Sequence, residues 1–263
     1  MKKLVSLVAI LVLLAAIAPY AGATPPADTP GKGPPDLEKI VFIHYGRNAA
    51  PGKPAGLPGG GIKLYSYSGI RWANSDIPVP YYYNPTGERG PGGYQNAIIS
   101  SFDAWENDSG SYIDFTYTGI TGIAPGINTS SPDGNNVVGW AYLSSLYPGA
   151  IGITIVWYTR GKVKQIVDVD TALNTDSFYV WTQGDIGTED PDTAAYLYRT
   201  DGFDVDVQNI MTHEAGHWLM LNDLYNEATA AQTMYGYASD AELKARSLET
   251  GDETGVRKIY PQP

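Results

Sequence analysis

The run HEAGHWLMLND, residues 213 to 223, sets two of the chain's three histidines four residues apart with a glutamate between them. Residues four apart on a helix differ by about 40° in direction and one turn in height, so His213 and His217 can aim their rings at one ion. Glu214 is displaced about 100° around the axis, where its carboxylate reaches water at the metal without binding the metal itself. The chemistry needs this division of labour. Neutral nitrogen donors hold zinc and leave one position for water, and a nearby carboxylate takes the water's proton and later passes it to a leaving amine. With no cysteine in the chain, the donors must be nitrogen and oxygen, and neither disulfides nor a thiolate switch is available.

A motif of this kind acts only if a scaffold holds it. YQNAIISSFDAWEND places Ile98, Phe102 and Trp105 on one helical face and predicts an amphipathic first helix. IPVPYYYNP, residues 77 to 85, is an aromatic, β-prone run whose Pro78 and Pro80 point to a strand beginning or a sheet edge. YIDFTYTG and VVGWAYL are further strands. AIGITIVWYTRGKVKQIVDVDTAL is a hairpin, with Ile151, Ile153, Ile155 and Trp157 expected on one face and Val163, Val167 and Val169 in the returning strand. Two more helices follow. The order predicts an α+β domain in which a long first helix packs on a twisted mixed sheet.

The flanks have other compositions. Residues 1–23 carry Lys2 and Lys3, an apolar run from Leu4 that is too short to span a bilayer, and Ala21-Gly22-Ala23, the pattern of a cleaved secretory signal. Residues 24–62 are rich in Pro and Gly and are expected to be a pro-segment or linker, interrupted by LEKIVFIHY as a short strand. His44 in that strand is expected to be without catalytic duty, the other option being that it masks the metal before activation. Residues 63–263 remain as the catalytic domain. The net charge is −11, and losing Lys2 and Lys3 with the signal makes it more negative still. That excludes nucleic acid and anionic membrane as partners and suits a secreted monomer acting on polypeptides.

With its surroundings, the motif resembles the metzincin zinc metallopeptidases of the matrixin-like branch, whose extended pattern is HExxHxxGxxH or HExxHxxGxxD. The resemblance implies His213, His217 and Asp223 as zinc ligands, the aspartate variant being that of snapalysin-like enzymes, with Glu214 as general base. TMYGYA then puts Met234 in the Met-turn, an apolar platform under the metal that does not ligate it. LETGDETGVRKIYP is similar to the closing helix, with Thr250 and Glu253 spaced as a capping box. RWANSDIPVPYYYNP is similar to a matrixin first strand, and IVDVDTALN to the strand lining the cleft. The implied fold is a metzincin-like catalytic domain, and a peptide substrate is expected to lie along an edge strand at residues 151 to 158.

One departure stands out. The family glycine falls at Met220, where the chain must turn for Asp223 to come back to the metal, since six residues of straight helix would rise about 9 Å and turn about 240°. Either Met220 takes a strained conformation or the helix breaks elsewhere, with Asn222 best suited to a left-handed one. Tyr235 and Tyr237 are off the register of a metal-side tyrosine and are expected to pack beside the S1′ pocket. A structural Ca²⁺ is possible, without an assigned site, among Asp133 and Asn135, Asp168 and Asp170, Asp190 and Asp192, or Asp204 and Asp206, none of which has EF-hand spacing. Asn107 and Asn128 begin glycosylation sequons. The expected activity is that of a secreted zinc metalloendopeptidase. The second reading is a secreted zinc-binding module with a degenerate, non-catalytic site.

Overall fold

The computed structural model describes residues 37–46, 62–183 and 202–263. The first element is β1, Leu37–Gly46, and it belongs to the main sheet. After the two-residue β2, Ile70–Arg71, come β3, Val79–Tyr83, and the helix α1, Gln95–Glu106. Ile98, Phe102 and Trp105 are all fully buried, so the predicted stripe is the face that packs, each side chain contributing about 1.5–3 kcal/mol by leaving water. The strands β4, Phe115–Ile120, β5, Val137–Ala141, β6, Ala150–Thr159, and β7, Lys164–Asn174, complete the larger part of the sheet. A small second sheet pairs β8, Tyr179–Thr182, with β9, Phe203–Asp206. The helices α2, Val207–Trp218, and α3, Thr250–Ile259, lie either side of β10, Tyr237–Ala238.

The main sheet runs in the order β10-β1-β6-β7-β5-β3-β4, with β2 paired to β7 off that path. It is mixed: β5, β3 and β4 run parallel to β7, whereas β6 is antiparallel to it. A mixed sheet with few helices is α+β at the coarse level, as the element order predicts. Pro80 is compatible with an inner strand because β3 has only β4 beside it there, β5 joining at Tyr82.

Three details differ from the sequence expectations. Strand 151–158 is not a free edge, because β1 pairs along it antiparallel from Leu37 opposite Thr159 to His44 opposite Gly152. Ile153, Ile155 and Trp157 share one small core, but Ile151 joins the main core instead, and Val163 is an exposed turn residue. The capping box of α3 is set one residue early. The Glu249 side chain receives the N3 backbone N–H while Asp252 receives that of Glu249, so Thr250 and Glu253 are not its members.

Candidate metal centre

α2 is anchored at both ends by side chains that spacing alone assigns elsewhere. Asp206, a calcium candidate, is its N-cap, accepting from the Asn209 N–H at 2.8 Å, and it also forms a two-pronged ion pair with Arg246. At the other end Met220 itself takes the left-handed conformation, with φ 61°, and Asn222 does not. The Met220 N–H donates to the His217 carbonyl and the Leu221 N–H to that of Gly216, which is the Schellman pattern usually closed by glycine. Holding a non-glycine residue there costs about 1–3 kcal/mol. The segment before β2 offsets it. Ser68 donates its N–H to the Met220 carbonyl and its hydroxyl to Asn222 Oδ1 at 2.7 Å, and Asn222 donates its N–H to the Ser66 carbonyl.

The turn returns Asp223 to the helix. Its Oδ1 lies 3.1 Å from His213 Nε2 and 3.5 Å from His217 Nε2, and the two Nε2 atoms are 3.1 Å apart. Each ring's other nitrogen is committed: His213 Nδ1 donates to the Thr233 carbonyl and His217 Nδ1 to the Leu221 carbonyl, both at 2.8 Å. With Nδ1 carrying the proton, a neutral ring presents a lone pair at Nε2. Two lone pairs and a carboxylate oxygen therefore converge on one buried point, an arrangement that repels itself unless a cation or an extra proton sits there. The electrostatics agree. Burial alone would raise Asp223, but His217 and His213 hold its carboxyl well below the usual carboxylate range. Burial works against a charge on His213, and the Asp223 carboxylate outweighs it and raises that ring's pKa. The donor set of two imidazoles and one carboxylate suits zinc. The sequence did not single out Tyr225, which donates to Asp223 Oδ2 at 3.1 Å.

Met234 lies under the helix, fully packed. A methyl group built on Gly216 would meet its sulfur at 2.1 Å, so the glycine inside HEAGH exists to let the Met234 side chain in. Asp252 holds that turn by accepting from the Thr233 and Met234 N–H groups, tying the closing helix to the histidine that leans on Thr233.

Glu214 is fully buried beside the ligands, and burial raises its pKa. Its Oε2 accepts from the Thr154 hydroxyl at 2.6 Å, Thr154 lies 2.7 Å from the Thr171 hydroxyl, and the Trp218 indole N–H donates to Thr171 at 2.9 Å. Thr154 spends its one proton on Glu214 Oε2, so it accepts from Thr171, whose oxygen in turn takes the Trp218 indole N–H. Oε1 has no hydrogen-bond partner among the described residues. It is the oxygen free to take a proton. Thr154 was legible as the polar break in the apolar strand AIGITIVWYT; the role of Thr171 was not, because only the pairing of β7 with β6 sets it beside Thr154, nor was that of Trp218, whose indole meets Thr171 only through tertiary packing.

The other acidic candidates among the described residues contact nearby backbone. Asp168 Oδ2 accepts from the Asp133 and Gly134 N–H groups and ties that turn to β7, while Asp170 Oδ1 accepts from the Val137 N–H at the start of β5; Asp168 Oδ1 is buried without a partner among the described residues. Asp133 Oδ1 accepts from the Asn135 N–H, and the Asp204 N–H donates to Asp240. Among the described residues, the groups of three that could share a metal are His213, His217, Asp223 and His44, His213, Glu214. Asp190, Asp192 and the signal segment lie outside the described residues. No helix among the described residues is long and apolar enough to cross a membrane. No family model matches the chain, and no curated protein proves similar to it.

Proposed function

We propose that this chain is a secreted zinc metalloendopeptidase of metzincin, matrixin-like type, with His213, His217 and Asp223 as ligands and Glu214 as general base. The observation that carries the reading is the convergence of two Nε2 lone pairs and Asp223 Oδ1 on one point, with each Nδ1 locked to a backbone carbonyl. When bound, zinc would supply a Lewis acid that polarises a carbonyl and acidifies water. The protein's own part is positional and protonic. Glu214 Oε1 takes the proton from water and hands it to the departing amine, while Thr154 keeps the carboxylate from rotating. Burial places the Glu214 pKa above the usual carboxylate value, which suits a group that must hold a proton and release it near neutral pH. Met234 keeps the ligand helix at a fixed height.

A specific observation favours the second reading, a zinc-binding module without turnover: His213, Glu214 and His217 are each 0% exposed beneath β1. The deciding experiment measures zinc per chain and casein cleavage for wild type and Glu214→Ala. One zinc per chain with Glu214-dependent cleavage supports the peptidase. One zinc with no cleavage under any condition that exposes the centre supports the module, and no zinc sinks both.

A further inference from the structure

Asp223 differs from the two histidines in what it can do to a metal. A neutral imidazole offers one lone pair, whereas a carboxylate has two oxygens and can hold an ion through one or both. In the centre those two oxygens are sorted. Oδ1 faces the ring nitrogens, 3.1 Å from His213 Nε2 and 3.5 Å from His217 Nε2, and has no hydrogen-bond partner among the described residues. Oδ2 accepts from the Tyr225 hydroxyl at 3.1 Å. A carboxylate can only accept, so the phenol spends its single proton there.

Tyr225 is placed for this contact by its surroundings. Between it and Asp223, the Leu224 N–H donates to the Met234 carbonyl and the Leu224 carbonyl accepts from the Gly236 N–H, which stitches the segment to the Met234 turn. The Tyr237 ring packs 5.2 Å from that of Tyr225, tilted by 56°. Gly236 leaves the space that the Tyr225 ring fills. A methyl group built there would lie 2.5 Å from Tyr225 Cε1, 2.9 Å from Cζ, which bears the hydroxyl, and 3.0 Å from Asp223 Cβ. No positive φ at Gly236 accounts for a glycine, so room for the Tyr225 and Asp223 pair is what the missing side chain provides.

We propose that Tyr225 is a positioning residue that holds Asp223 to one oxygen on the metal shared with His213 and His217, by occupying the other. The proposal rests on the zinc-site reading above. A third histidine could not chelate and would need no such restraint. An aspartate does, because a second oxygen on the ion takes the position that water needs. Without the hydroxyl, Oδ2 is free to rotate onto the metal.

The test compares the full chain, wild type and Tyr225→Phe, loaded with Co²⁺, whose visible spectrum reports coordination number. Phenylalanine keeps the ring beside Gly236 and removes the hydroxyl alone. Both proteins are expected to bind one equivalent. The wild-type bands should be the intense ones of a four-coordinate ion, and those of Tyr225→Phe should weaken as a fifth donor enters. Zinc affinity, from competition with a chromophoric chelator, should fall about tenfold or more, the size of losing an outer-shell partner. Superimposable spectra, with metal bound in both, overturn the lock whatever the affinities and leave the metal centre standing. If Tyr225→Phe loses its cooperative thermal transition, X-ray absorption of the zinc-loaded wild type decides. Chelation by Asp223, seen as a short distance from zinc to the carboxyl carbon, overturns the lock, and its absence supports it. Absence of Co²⁺ and Zn²⁺ binding in wild type overturns the underlying reading instead.

Discussion

The two sides of the metal centre are built on opposite terms. Beneath it, α2, the Met220 turn and the Thr233–Met234 segment form a web in which each histidine's Nδ1 and the carbonyl it leans on are engaged. Above it, β1 is held by main-chain pairing and ring stacking, and the polar side chain it brings to the site, His44, has both nitrogens unpartnered among the described residues. Satisfied polar groups in a low-dielectric interior fix a geometry, whereas unsatisfied ones mark where a structure expects something else. The lower side is therefore the fully hydrogen-bonded part of the site, and the upper side the unsatisfied one.

The sharpest way to break this contrast is to cut into each side. Asp223→Ala should weaken zinc by more than the roughly 10–100-fold typical of losing an outer-shell partner, whereas Phe42→Ala above should keep one zinc per chain; titration against a chromophoric chelator decides, and equal losses would erase the distinction. Next in size is Gly216→Ala. Its methyl would collide with Met234 and lower stability by about 1–3 kcal/mol, read from urea denaturation, and an unchanged midpoint would mean that the lower side is looser than described.

Proton competition sharpens the same point. The His213 pKa is raised above the ordinary 6.5, so protons compete for its Nε2 from a higher pH than at an isolated histidine. Zinc affinity should begin to fall as pH is lowered through a range starting above 6.5, measured by chelator competition across pH. A decline confined to below that value would count against the Asp223 contact. The smallest effect is expected from Thr154→Val, which removes the one hydrogen bond that the Glu214 carboxylate has among the described residues and leaves Oε2 dry. The carboxyl's pKa should climb further, moving the acidic limb of the kcat/KM profile to higher pH while zinc stoichiometry stays at wild type.

The lower side was readable from the chain because its parts are close in sequence. His213, Glu214, His217 and Asp223 lie within eleven residues, and helical geometry alone relates the first three. That Met220 adopts the left-handed turn was one of two options in the sequence, and only the clamp from Ser66 and Ser68, some 150 residues away, decides between them. The upper side was not readable for the same reason: whether LEKIVFIHY pairs with β6 depends on a contact across more than 100 residues that leaves no periodic trace. Strand positions and the α1 stripe were legible from alternation and helical period. Strand order was not.

The Ser68 clamp also bears on the order of events during folding. Ser68 and Asn222 are 154 residues apart, so the turn that presents Asp223 cannot close until a long loop of chain has already been brought together. A histidine pair alone forms on a nascent helix, but the three-donor set exists only afterwards. Metal capture by that set would thereby be a late step that reports completed assembly, and refolding rates should be the same whether zinc is present from the start or added at the end.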